Sequence, residues 1–390
     1  MRLRLARVLR VAPTLAVLTL WAAIIGACGR SVYSTVSTSP TPTATITISP
    51  GTGNFLYSSN FADGMVAEFT RNLTTGVLTL AGSVGAGSAS GPVGIATGRS
   101  AKYVYVANSA DGNVRQFKVN LSTGALTAIG AGTVAAGSSP QWIAVTPNAQ
   151  FAFVTNSGDG TISPYTINAT TGALTANGGA VSSALLKNPT TAVASNNWLY
   201  VTDDGKGTIV SFPISSSGTL SGGTATGLPA GAMPGPVIMD PSGQFVYTTD
   251  EAKGVVYFLK VGTGVLTLAN SYVSTGAGAA VGLAIAKTPA GNLYMYVANQ
   301  TVVPPSLTAF QVNGDGTLTF LSPPQYPDAS LSLPTGVAVD PTGSFLYVAN
   351  QGNGTISQFA ISSTTGALGL GLPVLTESAT SQPLYLSLAN

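Results

Sequence analysis

Asp250 and Glu251, followed closely by Lys253, form a short stretch in which a carboxylate base and a cation could act together. A carboxylate can activate water, and a cation can stabilise a developing oxyanion. Arg99 is a second candidate for the cation, and Glu251 or Asp250 for the base. Gln141, Trp142, Gln300 and Gln351 could surround the same opening, with the indole of Trp142 offering a face for a sugar or an aromatic ligand. The bland alternative fits the same residues. Turns select Asp, Asn and Gly for backbone reasons, and a lone Trp serves equally well in packing.

Other chemistries find little support. The chain has no histidine, so the usual base at neutral pH is missing, and its single cysteine permits no intramolecular disulfide. No phosphate loop, zinc motif, Ser-His-Asp set or nucleic-acid-binding surface is present, and no metal or cofactor is expected. Turns such as Asn60–Asp63, Asn108–Asp111 and Asn156–Asp159 resemble calcium loops only superficially. They are too short for an EF-hand and lack clustered carboxylates, so they read as hairpins.

The elements that would hold these residues repeat seven times. The clearest copies pair Phe345–Asn350 (FLYVAN) with Gly354–Phe359, and Tyr103–Asn108 (YVYVAN) with Gly112–Phe117. Central aromatics fall at Tyr57, Tyr105, Phe153, Tyr200, Tyr247, Tyr296 and Tyr347, with spacings of 48, 48, 47, 47, 49 and 51 residues. In one repeat, Thr335–Asp340 predicts a strand, Pro341–Ser344 a turn, and Phe345–Ala349 a second strand. Asn350–Gly354 is a glycine-ended hairpin, Thr355–Ile361 a third strand, Ser362–Gly366 another hairpin and Ala367–Leu368 a fourth strand. Four short antiparallel strands per repeat predict an all-β, seven-bladed β-propeller over residues 45–390.

The phrase of the innermost strand occurs once more than there are blades, at Thr45–Pro50 and again at Pro383–Leu388. The C-terminal copy is expected to complete the blade of Tyr57 and close the ring, leaving the N-terminal copy to pack outside. Loops Gly82–Gly91, Gly222–Ala232 and Leu321–Leu333 are expected to carry specificity.

The N-terminus supplies an address. Arg2, Arg4, Arg7 and Arg10 precede an apolar run from Val11 to Ala27, broken by Pro13, and then Ile25–Cys28. This order reads as a signal peptide over residues 1–27, the alternative being an uncleaved membrane anchor. Ile25–Cys28 resembles the lipobox of bacterial lipoproteins, which implies lipidation of Cys28, anchoring in a membrane and, with Gly29 following, sorting to an outer membrane. Residues 28–44, rich in Ser, Thr and Pro, form a tether. Without the leader, 11 basic residues face 13 acidic ones, and only 7% of the chain is charged.

The pattern YVAN, GTI, Phe and TTGAL resembles the YVTN repeats and the seven-bladed lactonase-like propellers, a group that includes 6-phosphogluconolactonases and fungal muconate cycloisomerases. That resemblance implies a His or Arg-His pair after the proline of an innermost strand, and an acidic residue after the Asn ending the second strand. Here Pro140 precedes Gln141 and Trp142, Pro92 precedes Val93, Pro189 precedes Thr190, and Pro334 precedes Thr335. Glu251 fills the acidic position, whereas Gln300 and Gln351 occupy it elsewhere. A phosphorylated sugar substrate is therefore not expected. The leading expectation is a lipid-anchored extracytoplasmic propeller that binds a protein, glycan or small molecule on one ring face without catalysis. An exported hydrolase or cyclase acting on a neutral lactone is the alternative, and a purely structural surface protein a third.

Overall fold

The strands around the central aromatics are covered: Phe55–Asn60, Tyr103–Asn108 and Phe345–Asn350 are buried from end to end, and in the repeats of Tyr200, Tyr247 and Tyr296 only the first residue is half-buried. A strand covered on both faces reads as a continuous apolar run, and here the neighbouring repeats supply the cover. The computed structural model describes residues 44–45, 54–87, 91–98, 101–274, 279–375 and 381–389. The leader, Cys28 and the tether up to residue 43 lie outside them.

Seven antiparallel sheets, one per repeat, form the blades of a propeller. Blades are numbered 1–7 from Tyr57 to Tyr347. Blade 2 shows the plan from the axis outward: Pro92–Thr97, Tyr103–Asn108, Asn113–Val119 and Leu126–Ala135. Each innermost strand touches those of both neighbouring blades, so the inner strands complete a circle. They approach closely. A Cβ on Gly336 would lie 2.5 Å from the Leu384 carbonyl of blade 1, which no side chain tolerates. Hydroxyls stitch the same seams: Ser59 Oγ donates to the Val93 carbonyl at 2.6 Å, Thr155 Oγ1 to Thr190 at 2.6 Å and Thr191 Oγ1 to Gly235 at 3.0 Å.

The repeat signature turns out to describe contacts between blades. The first aromatic of the second strand covers the glycine of the next blade's outer hairpin at every seam. Phe55 lies on Gly124, Tyr103 on Gly172, Phe151 on Gly218, Trp198 on Gly264, Phe245 on Gly316, Tyr294 on Gly366 and Phe345 on Gly76. All seven glycines have positive φ. The central tyrosine adds a hydrogen bond at five seams, as where Tyr57 donates to the Gly124 carbonyl at 2.7 Å and Tyr347 to Gly76 at 2.7 Å. Fully burying one such ring contributes about 1.5–3 kcal/mol, so the seams draw on the same core as the sheets.

The ring closes as the sequence predicts. Pro383–Ala389 forms the innermost strand of blade 1 and pairs antiparallel with Phe55–Asn60, with Tyr57 opposite Ser387. The seam between blades 7 and 1 also carries an ion pair, Arg71 to Asp340 at 3.2 Å, with both side chains buried.

Three expectations need correction. Ala44–Thr45 does not pack outside: it runs parallel to Gly282 and Leu283 on the axial edge of blade 6 and contacts the innermost strands of blades 5, 7 and 1. Unpaired backbone on that axial edge offers the extended N-terminal segment hydrogen bonds that the outer surface does not. In blade 7 the fourth strand is Leu372–Leu375, and Leu368 makes only an isolated bridge to Ile361. The proposed specificity loops are shorter than expected, because Leu78–Gly85, Thr224–Gly227 and Leu318–Pro327 extend the outermost strands into them.

Candidate functional site

Each second strand ends in Asn or Asp, and that side chain is a turn hub. Asn350 accepts the Ser332 N–H and donates to Thr355 and Ser357, while Asn156 accepts the Gly137 N–H and donates to Thr161 and Ser163. Asp250 does the same work. Its carboxylate accepts N–H groups from Met233, Ala252 and Lys253 and the Tyr257 hydroxyl at 2.8 Å, and it is fully buried. Those donors commit its lone pairs to the turn.

The residue after each hub marks the rim. Its backbone N–H bonds the carbonyl just before the innermost strand, as for Phe61 to Gln382, Ser109 to Gly91, Ser157 to Ser139, Glu251 to Met233, Gln300 to Ala279 and Gln351 to Leu333, all at 3.0–3.2 Å. Blade 4 departs from this pattern and places Asp204 at the equivalent position. There the Asp203 carboxylate takes the N–H groups of Lys187 and Asn188, and the Asn188 amide donates to Asp204 at 2.5 Å. The seven rim residues are all half-buried. They are one Phe, two Ser, two Gln and two carboxylates on adjacent blades, and none is cationic. Backbone strain gathers here too: Ser139, Leu333 and Gln382, just before innermost strands, all hold positive φ.

Tyr385, on the innermost strand of blade 1, is pushed well above its usual range by burial and then by the negative charge of Glu251. Blades 5 and 1 are not neighbours, so that influence crosses the ring. Asp204 is pushed up to about 6, chiefly by burial and further by the charge of Asp203, with the Asn188 hydrogen bond opposing both. Asp204 was missed by the sequence reading. Aligning the seven strand ends would have found it, because Asp203–Asp204 occupies the register of Asp250–Glu251.

The remaining candidates scatter. Lys253 Nζ donates to the Pro229 and Ala230 carbonyls of its own blade's loop. Arg99 lies outside the described residues, and its neighbours Gly98 and Ala101 occupy the turn at the far end of the innermost strand, on the face opposite Glu251. Gln141 is buried, with its amide 3.4 Å from Ser109 Oγ and 3.2 Å from the Ser139 carbonyl. Trp142 is 4% exposed and meets Tyr385 edge to face at 5.3 Å, joining blades 3 and 1 across the small Gly94 of blade 2. Gln300 and Gln351 occupy the equivalent rim positions one and two blades on from Glu251. Among the described residues, no three metal-ligating side chains come together.

These features define a seven-bladed propeller whose mouth is polar and bears two carboxylates. A family model described as a lactonase, seven-bladed β-propeller, matches residues 30–133, 129–222 and 189–375, and the chain belongs to that family. Similar solved structures include a protein of Bacteroides fragilis provisionally named a 6-phosphogluconolactonase, at 21% identity and TM-score 0.72, covering 85% of this chain and 96% of that one. A Lactobacillus plantarum protein matches at 23% identity and TM-score 0.70 over 86% and 99% of the two chains. A periplasmic gluconolactonase of Pseudomonas aeruginosa matches at 19% identity and TM-score 0.72 over 85% and 98%. At these identities the likeness is one of fold. No curated protein matches the chain.

Proposed function

We propose that this lactonase-family propeller is an extracytoplasmic protein, anchored through a lipid on Cys28, that binds a neutral, hydroxyl-rich ligand at its mouth. What carries the reading is the rim: its seven positions hold two carboxylates, Asp204 and Glu251, among amide and hydroxyl residues, and none of the seven is a cation. Carboxylates and amides accept hydrogen bonds from a polyol. A phosphate held about 6 Å from one carboxylate would instead be repelled by roughly 1–3 kcal/mol, a loss of about ten- to a hundredfold. The leader and the lipobox-like Ile25–Cys28 support the address. The Pseudomonas aeruginosa relative in fold is a periplasmic protein, which agrees with it.

The test is calorimetric titration of the chain with neutral sugar lactones, aldonic acids and their phosphate esters. Neutral compounds should bind, phosphorylated ones at least tenfold more weakly, and Glu251→Gln should lower the affinity for the neutral ligand. Equal binding of the phosphate ester, or unchanged binding by the variant, would overturn the reading. Acyl labelling that is lost in Cys28→Ser tests the anchor.

One observation favours a second reading, the hydrolysis of a neutral lactone. Asp204, raised to about 6, is suited to take a proton from water near neutral pH. Water would add to the carbonyl, the ring C–O bond would break, and the product would be the open hydroxy acid. Proton release from a neutral lactone, abolished in Asp204→Asn while calorimetric binding survives, would establish it. Absence of turnover on the whole panel would leave binding alone.

A further inference from the structure

On the face opposite the mouth, a groove of about 650 Å³ runs between blade 2 and the outer hairpin of blade 3. Its lining includes Tyr103, Val119 and Leu121, and Lys102, Lys118 and Thr170 stand around them. Tyr103 fixes the far wall, donating its hydroxyl to the Thr170 carbonyl at 2.6 Å. No acidic residue lines the groove. Lys102 and Lys118 are exposed, and neither ammonium group has a hydrogen bond or an ion pair among the described residues.

The repeats provide an internal comparison. Tyr103 pairs with Lys118 across the sheet, and Lys102 precedes it. The corresponding pairs are Asn54 and Thr70, Gln150 and Thr166, Asn197 and Pro213, Gln244 and Lys260, Leu293 and Gln311, and Ser344 and Ala360. Blade 2 alone has cations at both positions. Lys260 of blade 5, the other cation in the series, leans over Phe258 at 5.9 Å. Blade 2 is also the basic part of an acidic propeller, with Arg99, Lys102, Arg115 and Lys118 against Asp111. Arg115 is engaged elsewhere, on the Gly85 carbonyl.

We infer that the groove walled by Lys102 and Lys118 is a second ligand site, independent of the mouth, that takes a phosphate group attached to an apolar body. Two lysine ammonium groups supply point charges for the phosphate, and Leu121, 56% exposed, offers apolar surface to the attached group. The phosphate can come from a lipid headgroup or from a soluble ester. The paired cations make binding salt-sensitive, because exposed charges are screened within about 8–10 Å at physiological ionic strength.

The experiment uses the chain with Cys28→Ser, so that no acyl group drives membrane association, and compares it with Lys102→Gln/Lys118→Gln in that background. Phenyl phosphate is titrated calorimetrically at low salt, and flotation is measured with phosphatidylglycerol and with phosphatidylcholine vesicles. Binding of phenyl phosphate, or of phosphatidylglycerol vesicles in preference to phosphatidylcholine, should fall at least tenfold in the double variant. The probe that binds identifies the source of the phosphate. No binding of either probe, or binding that the double substitution leaves unchanged, overturns the inference. An unchanged melting temperature for the variant shows that the groove was altered without unfolding the blade.

Discussion

Asp204 is expensive where it stands. A carboxyl raised to about 6 in the folded chain, against about 4 when unfolded, holds its proton more tightly in the native state. The stability this confers is complete below about pH 4 and is lost as pH rises through about 6. The melting temperature should therefore decline across that window, and Asp204→Asn should remove part of the decline, on the order of 1 kcal/mol after allowing for partial solvent exposure. Thermal melts at pH 4, 5, 6 and 7 would read the difference, and parallel curves would contradict it. A residue retained at a cost to the fold is a candidate for work at the mouth. The sequence alone hid it, because Asp203–Asp204–Gly205 reads as an ordinary turn. Glu251 was legible because the resemblance to the lactonase-like propellers marks the position after the strand-ending Asn or Asp as acidic.

At the level of the element, the outer hairpin glycines have two requirements. Gly124 has φ of +82° and would place a Cβ 2.5 Å from Phe55, whereas Gly178 has φ of +86° and open space around it. Alanine at Gly178 should cost only the backbone strain, about 1 kcal/mol. Alanine at Gly124 should cost about 2–4 kcal/mol, because it also displaces a ring between blades. Urea unfolding of the two variants separates these contributions, and equal losses would show that the aromatic cover matters little. The turn was readable from Asn120–Gly124 itself. Its second role was not, since Tyr57 and Phe55 approach from the preceding blade and the hydrogen bond spans 67 residues. Likewise Trp142 could not be assigned from sequence, because its edge contact with Tyr385 depends on an innermost strand drawn from the other end of the chain.

For the whole molecule, the six regular spacings between seven central aromatics and the surplus innermost-strand phrase made both blade number and closure legible. The path of the N-terminal segment was not, since an extended polar stretch carries no mark of which edge it will join. The closing seam carries a buried Arg71–Asp340 pair. Asp340 also caps the N–H groups of Ser344 and Phe345 at 2.7 Å, so removing its cation leaves a buried charge tied to a turn. Arg71→Met should cost about 3–5 kcal/mol, and adding Asp340→Asn should restore part of that loss. Denaturation midpoints of the two variants check it, and a loss under 1 kcal/mol would mean that the pair is dispensable.

The same closure bears on biosynthesis. Until residues 383–389 have been made, Phe55–Asn60 has no partner on its axial side, although every other blade already has its innermost strand. A chain stopped before residue 383 thus presents an uncapped apolar sheet edge that cannot be healed from within. Synthesis of this strand is the point from which the first blade made can be capped, so translation order makes the first blade begun the last one completed.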